Sequence, residues 1–259
     1  MGWEDPTAAH DFNRKILQEI DHRPWPMPAR PWLMTQTWHD LLFAHWPLTL
    51  ADLRPNVPPT LPIDLFDGRA WIGIVPFRMT NVAPRGVPSL PWISEFPELN
   101  VRTYVRIDDK PGVFFFSLDA GNLLAVQAAW LMLSLPYYSA SMNVVLDEGE
   151  VRYSSRRLKD PGAQFIATYR PTGDAFTPRP GSLEYFLTER YCLYALNHRG
   201  RLYRLDIHHP PWPLQRADAK FVRNTMADAA GIALPAADPL LHFARRQDMV
   251  AWGPEKLQA

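Results

Sequence analysis

A mainly β protein of one domain is what the sequence predicts, and three observations predict it. Short runs rich in β-branched and aromatic residues recur between turn-forming clusters, no repeat of fixed period is visible, and no shift of composition divides the 259 residues. Length alone leaves one or two domains open, but mainly β folds of roughly 200 to 250 residues commonly form a single domain. We therefore expect a proline-rich N-terminal arm over residues 1–35 and one β domain over residues 36–259.

Along the chain, the arm combines a short helix over Asp11 to Ile20 with HRPWPMPARPW, whose prolines can neither continue a helix nor join a central strand. From Gln36 to Trp46, the apolar residues Trp38, Leu41, Leu42 and Trp46 fall at helical spacing and Pro47 ends the pattern, which predicts an amphipathic helix. The loop PNVPPTLPIDLFDG then leads to a strand, RAWIGIVPFRMTNV. ELNVRTYVRI and GVFFFSLDA form a hairpin around the segment Asp108 to Gly112. LLAVQAAWLMLSL has the length and the leucine and alanine content of a buried helix, ended by Pro136. A second hairpin joins YYSASMNVVL to VRYSSRR through Asp147 to Glu150, and AQFIATYRP continues the meander. Ser182 is placed to cap a short helix reaching Glu189, after which RYCLYAL and RLYRLDIHH return to strand composition. A last helix is expected over Asp218 to Ala230.

Composition removes several classes of function. Lys+Arg and Asp+Glu are both 27, so no net field draws the chain to nucleic acid or to an anionic membrane, and neither partner is expected. One cysteine, Cys192, permits no intrachain disulfide and no multi-cysteine metal site, which fits a reducing cytoplasm. The acidic start MGWEDPTAAHDF lacks a signal-peptide pattern, and the longest nearly apolar run, Leu123 to Leu133, is too short to span a bilayer. A soluble, unexported chain is the expectation. The histidines show no HExxH, and His39 and His45 would face different sides of the expected helix, so we expect no metal. With no GxSxG, GxGxxG or GxxxxGK[ST], neither nucleophilic hydrolysis nor a nucleotide cofactor has support, and no cofactor is expected.

Positive signals are fewer. In a strand, ELNVRTYV sorts into Glu98, Asn100, Arg102 and Tyr104 on one face and Leu99, Val101, Thr103 and Val105 on the other. An ordinary sheet with a wet outer face would show the same alternation. A carboxylate, an amide, a guanidinium and a phenol together are also the convergent set a ligand pocket uses, and Arg102 would be its anion seat. At the expected helix exit, Tyr137, Ser139, Ser141 and Asn143 share a face, either as residues rimming the core or as a second polar wall. Glu189-Arg190, with Arg156-Arg157, reads as an ion-pair set tying the short helix to the sheet, or else as a ligand contact.

FDGRAWIGIVPF, FPELNVRTYV, GVFFFSLDA, LPYYSASM, YSSRR and FLTERYCLY, in this order and spacing, resemble the YqjF-like family of bacterial proteins, a family of unknown function. The resemblance covers roughly residues 36–252. That family is remotely similar to acetoacetate decarboxylase, which implies a closed antiparallel β-barrel or cone around an internal pocket, with the polar face of the 98–104 strand lining it. The decarboxylases form a Schiff base on the first lysine of a Pro-Lys-Lys unit. Here the corresponding segment is Pro136-Tyr137-Tyr138, so the resemblance implies loss of that chemistry. It also aligns Glu98 with a carboxylate of the decarboxylase pocket.

Three readings of function stand open: a module binding a small organic acid without turnover; an enzyme acting on a keto or enol compound with Tyr137 and Glu98 as acid and base; and a structural or protein-interaction role. In the enzyme reading Arg102 would lower the Tyr137 phenol, and in the structural one the interior would be filled. Ligand contacts are expected from Arg102, Asn100, Tyr104, Ser139 and Ser117. A homo-oligomer is compatible with the sequence but has no feature in its favour.

Overall fold

The computed structural model describes residues 15–87, 89, 94–121 and 135–257. Strands dominate: β1 (Met34–Leu48), β2 (Ala70–Pro84), β3 (Phe96–Ile107), β4 (Lys110–Ala120), β5 (Tyr137–Asp147), β6 (Glu150–Arg157), β7 (Gln164–Phe176), β8 (Cys192–Leu196), β9 (Leu202–His208), β10 (Leu214–Asn224), β11 (Leu240–Ala251) and β12 (Glu255–Lys256). Two short α-helices accompany them among the described residues, α1 (Leu50–Leu53) and α2 (Leu183–Thr188). Ser182 caps α2 as expected, its hydroxyl accepting from the Tyr185 amide. No helix among the described residues is long and apolar enough to cross a membrane.

The strands pair in the order β12-β9-β8-β4-β3-β2-β1-β11-β10-β7-β6-β5, and two further pairings, β9–β11 and β4–β5, close the sheet on itself. Two fused rings result. One runs through β1, β2, β3, β4, β8, β9 and β11, the other through β1 to β7, β10 and β11, and they share the wall β4-β3-β2-β1-β11. All the pairings are antiparallel except those that β4 makes with β5 and β8, which are parallel. Where β4 meets β8, Gly112 is required by space: a Cβ there would lie 2.7 Å from the Tyr194 ring and 2.8 Å from the Cys192 sulfur.

Both hairpins form. Their reversals are tighter than expected, because Ile107 already pairs with Lys110 and Asp147 with Glu150. Asp108 and Glu148 take the positive φ, 51° and 47°, that two-residue turns demand. Two expected helices are strands instead. Residues 36–46 belong to β1, which lies in the shared wall and is buried on both faces from Asp40 to Trp46, so its apolar residues follow no two-residue period. A bulge between His39 and Ala44 scrambles the alternation further. Residues 218–224 belong to β10, where Ala217, Ala219 and Phe221 pack on the core from one face, and only Asp228–Ala230 form a 3-10 turn. Sheet pairing with β7 overrides the helical composition there. The helix expected over LLAVQAAWLMLSL lies outside the described residues, apart from Leu135. Of the expected Asp11 to Ile20 helix, Lys15 and Ile16 are helical and Leu17 and Gln18 form a turn, with Gln18 N–H bonded to Lys15 O.

The nine-strand ring is filled by an apolar core of Leu42, Ile74, Val101, Tyr153, Phe165 and Phe243. Its polar ties are few and buried. Arg157 donates twice to Asp119, at 2.8 and 3.0 Å, with the two side chains 5% and 0% exposed, and its guanidinium lies 3.8 Å from the centre of the Tyr138 ring. Tyr153 donates to the Glu98 carbonyl at 2.7 Å, fixing the start of β3 from inside this ring. Removing one partner of a buried pair leaves the other charge without an answer and costs about 3–5 kcal/mol, whereas surface pairs contribute about 1 kcal/mol or less. Asp119→Ala should therefore lower the unfolding free energy in urea by about 3–5 kcal/mol. Asp147→Ala, which breaks the half-exposed pair with Arg152, should change it by under about 1 kcal/mol. Equal effects would mean that the Asp119 pair is not a buried tie.

Candidate functional site

Alternation along β3 builds the site. Leu99, Val101 and Val105 enter the core of the nine-strand ring, and the opposite face turns Glu98, Asn100 and Arg102 into a cavity of about 120 Å³ inside the seven-strand ring. Register places Phe77, Val75 and Gly73 of β2 beside those three polar residues. Trp38, Leu41, Leu118 and Trp212 complete much of the apolar wall, and Tyr137, Arg190 and His209 add polar groups.

At one end, Tyr137 donates to Glu98 Oε2 at 3.1 Å. Glu98 is 4% exposed and has no cation beside it among the described residues, so burial pushes its carboxyl up to about 8, the Tyr137 hydrogen bond offsetting part of the rise and Asp119 adding to it. Burial first, and then the Glu98 carboxyl, raise the Tyr137 phenol well above its usual range. This corrects the expectation that Arg102 would lower the phenol. Arg102 stands four residues from Glu98 along β3, about 13 Å at ~3.3 Å per residue, and Glu98 is the charged neighbour Tyr137 has. Glu98 is the group that titrates, and Tyr137 remains a neutral donor.

At the other end, the Arg102 guanidinium lies 5.3 Å from the Phe43 ring centre and 5.8 Å from that of Tyr104. Its hydrogen bond to the Leu187 carbonyl is long, 3.4 Å, and its Nε is buried without a partner. No carboxylate lies within ion-pair range of it among the described residues. Tyr104, expected as a ligand contact, stands behind Arg102 and does not line the cavity. It is fully buried, donating to the Leu187 carbonyl at 2.8 Å and lying 2.6 Å from His45 Nε2. With its one proton on Leu187, His45 must carry hydrogen on Nε2, and burial, followed by Arg102 and His242, holds that imidazole neutral. Gly73 leaves room for this platform, since a Cβ there would lie 3.0 Å from the His45 ring and 3.5 Å from Arg102 Cγ.

Other expected residues fall elsewhere. Ser117 pairs with Val101 and so shares its face, away from the cavity, because a register shift next to it in the β3–β4 ladder puts Leu118 beside Asn100. Ser139 pairs with Ala120, after which β5 leaves β4 to follow β6 around the nine-strand ring, so it too is outside the lining. Arg190 and Arg157 are in structural ion pairs, but with partners other than those expected: Arg190 with Asp64 at 2.7 Å and Arg157 with Asp119. Glu189 accepts from the Tyr191 hydroxyl and, at 2.8 Å, from the Trp212 amide. Arg190, left open as a ligand contact, lines the cavity, as do His209 and Trp212, which were not among the expected ligand contacts. They arrive from connecting segments, where no periodicity marks a face, although the TERY segment had singled out Arg190. Burial holds His209 down at about 4 and lifts the Cys192 thiol to about 12, so both are neutral groups of the wall near pH 7. Among the described residues no three His, Cys, Asp or Glu side chains are grouped to hold a metal ion.

In fold, the strand rings are similar to solved acetoacetate decarboxylase-like proteins. The structure is similar to the acetoacetate decarboxylase of Legionella pneumophila, with a TM-score of 0.58 and 14% identity over 93% of this chain and 94% of that one. It is similar to an acetoacetate decarboxylase-like enzyme from Sphingomonas wittichii RW1, with a TM-score of 0.58 and 13% identity over 92% and 98% of the chains. It is also similar to the enduracididine biosynthesis enzyme MppR complexed with pyruvate, with a TM-score of 0.60 and 12% identity over 92% and 93%. At such identities the likeness is one of fold. Sequence places the chain more narrowly: it belongs to the DUF2071 family, described as an uncharacterized conserved protein, whose pattern matches residues 35–248. It is 48% identical over 226 residues to the uncharacterized protein YqjF of Bacillus subtilis (strain 168), covering 87% of this chain and 93% of that one.

The Glu98 environment has a measurable sign. Its folded value of about 8 lies above its ordinary 4.5, so between these pH values the folded chain holds a proton that the unfolded chain releases. Stability from this group is complete below about 4.5 and is lost as pH rises through about 8. The difference in unfolding free energy between the native protein and Glu98→Gln should fall across that window, by at most about 1.4 kcal/mol per pH unit. His208 and His209, both lowered to about 4, act in the opposite direction but are common to the two proteins. A difference that stays flat from pH 5 to 8 would rule the assignment out.

Proposed function

We propose that this chain binds a small organic acid inside the seven-strand ring, with the acid's carboxylate on Arg102. The observation carrying this reading is a guanidinium that lines a largely apolar cavity and has no carboxylate of its own among the described residues. A charge kept from water is costly without a partner, and a carboxylate is the partner whose two oxygens match a guanidinium. The cavity of about 120 Å³ sets the size. Apolar cavities of roughly 150 Å³ hold benzene, so a molecule of about six heavy atoms suits this one. A neighbour in fold, MppR, has been solved with pyruvate, a molecule of that size and charge.

No lysine lines the cavity among the described residues, and Tyr137 follows Pro136 where the decarboxylases carry their Schiff-base lysine, so the reading includes no imine. A second reading, proton transfer to or from a keto or enol ligand by Glu98, is favoured by one observation: a buried carboxyl near 8, hydrogen-bonded by Tyr137 and lining the same cavity. The cavity itself weighs against a purely structural role, which calls for a filled interior. Cys192 is a free, buried thiol, which suits a reducing compartment, and we place the protein's work in the cytoplasm.

Calorimetric titration with pyruvate and with propionate tests the proposal. Binding should weaken at least tenfold in Arg102→Ala. In the native protein it should also weaken above pH 8, as Glu98 ionises beside an anionic ligand, and Glu98→Gln should remove that decline. Carboxylate affinity indifferent to Arg102→Ala would refute the seat.

A further inference from the structure

Three residues that line the cavity each carry a buried polar atom with no hydrogen-bond partner among the described residues: Arg102 Nε, Asn100 Oδ1 and Trp212 Nε1. Such atoms cost free energy unless a ligand satisfies them, so together they describe the ligand. The carboxylate answers Arg102. Asn100 is the next residue on the same face of β3, ~6.6 Å away along the strand, so the group it meets stands one or two carbons from that carboxylate. A carbonyl oxygen can only accept and would leave Asn100 Oδ1 bare. A hydroxyl donates to Oδ1 and still accepts from an N–H, that of the Trp212 indole.

Charge narrows the class further. Arg190 is neutralised by Asp64, which it shares with the more exposed Arg106. Glu98 is 4% exposed and, among the described residues, has no cation beside it and meets a neutral phenol. Arg102 is therefore the one uncompensated charge among the described residues of the lining, and a second carboxylate on the ligand would find no cation. We propose that the ligand is a short hydroxy monocarboxylate, its hydroxyl read by Asn100, and that the cavity rejects dicarboxylates. This rests on the reading that Arg102 seats a carboxylate.

The experiment is a titration of the full chain at pH 7 with propionate, pyruvate, both enantiomers of lactate, and malate. One lactate enantiomer should bind roughly ten- to a hundredfold more tightly than propionate, the span expected for an otherwise unsatisfied buried acceptor, and more tightly than pyruvate. Malate, which carries both a hydroxyl and a second carboxylate, should bind at least tenfold more weakly than lactate. Asn100→Leu, similar in size and apolar, should bring lactate to the level of propionate. The native ligand series decides the question even if this variant fails to fold. Propionate binding as tightly as both lactates overturns the hydroxyl inference, and malate binding as tightly as lactate overturns the charge inference; in either case the Arg102 seat stands if Arg102→Ala still weakens every acid. If no acid binds, or Arg102→Ala changes nothing, the carboxylate reading itself falls.

Discussion

Closure of one sheet into two rings that share a wall is the constraint from which the rest follows. Strands β1, β2, β3, β4 and β11 have an enclosed space on each side, so most side chains along their middle are kept from bulk water, the exposed Arg245 of β11 excepted. Alternation must then sort residues between two interiors. One interior is apolar and densely filled, with Tyr153 reaching across it to the β3 backbone. The other receives the polar half of β3. A polar face that an open sheet would give to solvent becomes a cavity wall without any change in the local pattern.

The same constraint explains how charge is handled. An enclosed guanidinium or carboxylate loses hydration and must be answered by a partner or by a proton. Arg78 answers Asp40, Arg157 answers Asp119, and Arg190 answers Asp64, each at 2.8 Å or less. Glu98 has no cation among the described residues and is answered by a proton, with Tyr137 donating to it. Among the described residues Arg102 meets the Phe43 and Tyr104 rings, the Tyr104 hydroxyl and, at 3.4 Å, the Leu187 carbonyl, but no carboxylate. Its incomplete coordination stands out because the surrounding structure satisfies the other enclosed charges so consistently.

Much of this was legible in the sequence, for reasons that can be stated. The β3–β4 and β5–β6 hairpins announce themselves because short turns between alternating runs are local signals. The α2 cap is equally local, a serine before a polar first turn. β1 was misread because a strand buried on both faces loses the two-residue period, and its bulge at Asp40 leaves spacings that imitate a helix. β10 was misread because alanine, aspartate and lysine are helix-compatible, and only its pairing with β7 makes it extended. Glu98, Asn100, Arg102 and Tyr137, to which one strand's alternation and one segment's resemblance pointed, line the cavity. Ser117 and Ser139 fell away because which face enters the cavity depends on a register shift and on where β5 departs from β4. Arg190 and Trp212 reach the lining from outside the regular ladders, where sequence spacing carries no geometry.

Tyrosine at position 137 then has a consequence beyond the absence of an imine-forming amine. An ammonium in hydrogen-bond contact with Glu98 would stabilise the carboxylate and hold it low. The phenol, kept neutral by burial, offsets only part of the desolvation, so Glu98 keeps its proton up to about 8. The two ends of the cavity therefore differ in charge: a neutral acid and phenol at the β5 end, and the Arg102 cation about 13 Å along β3. At the β5 end the phenol thus leaves a neutral, hydrogen-bonded carboxyl, and among the described residues no lysine lines the cavity to change that.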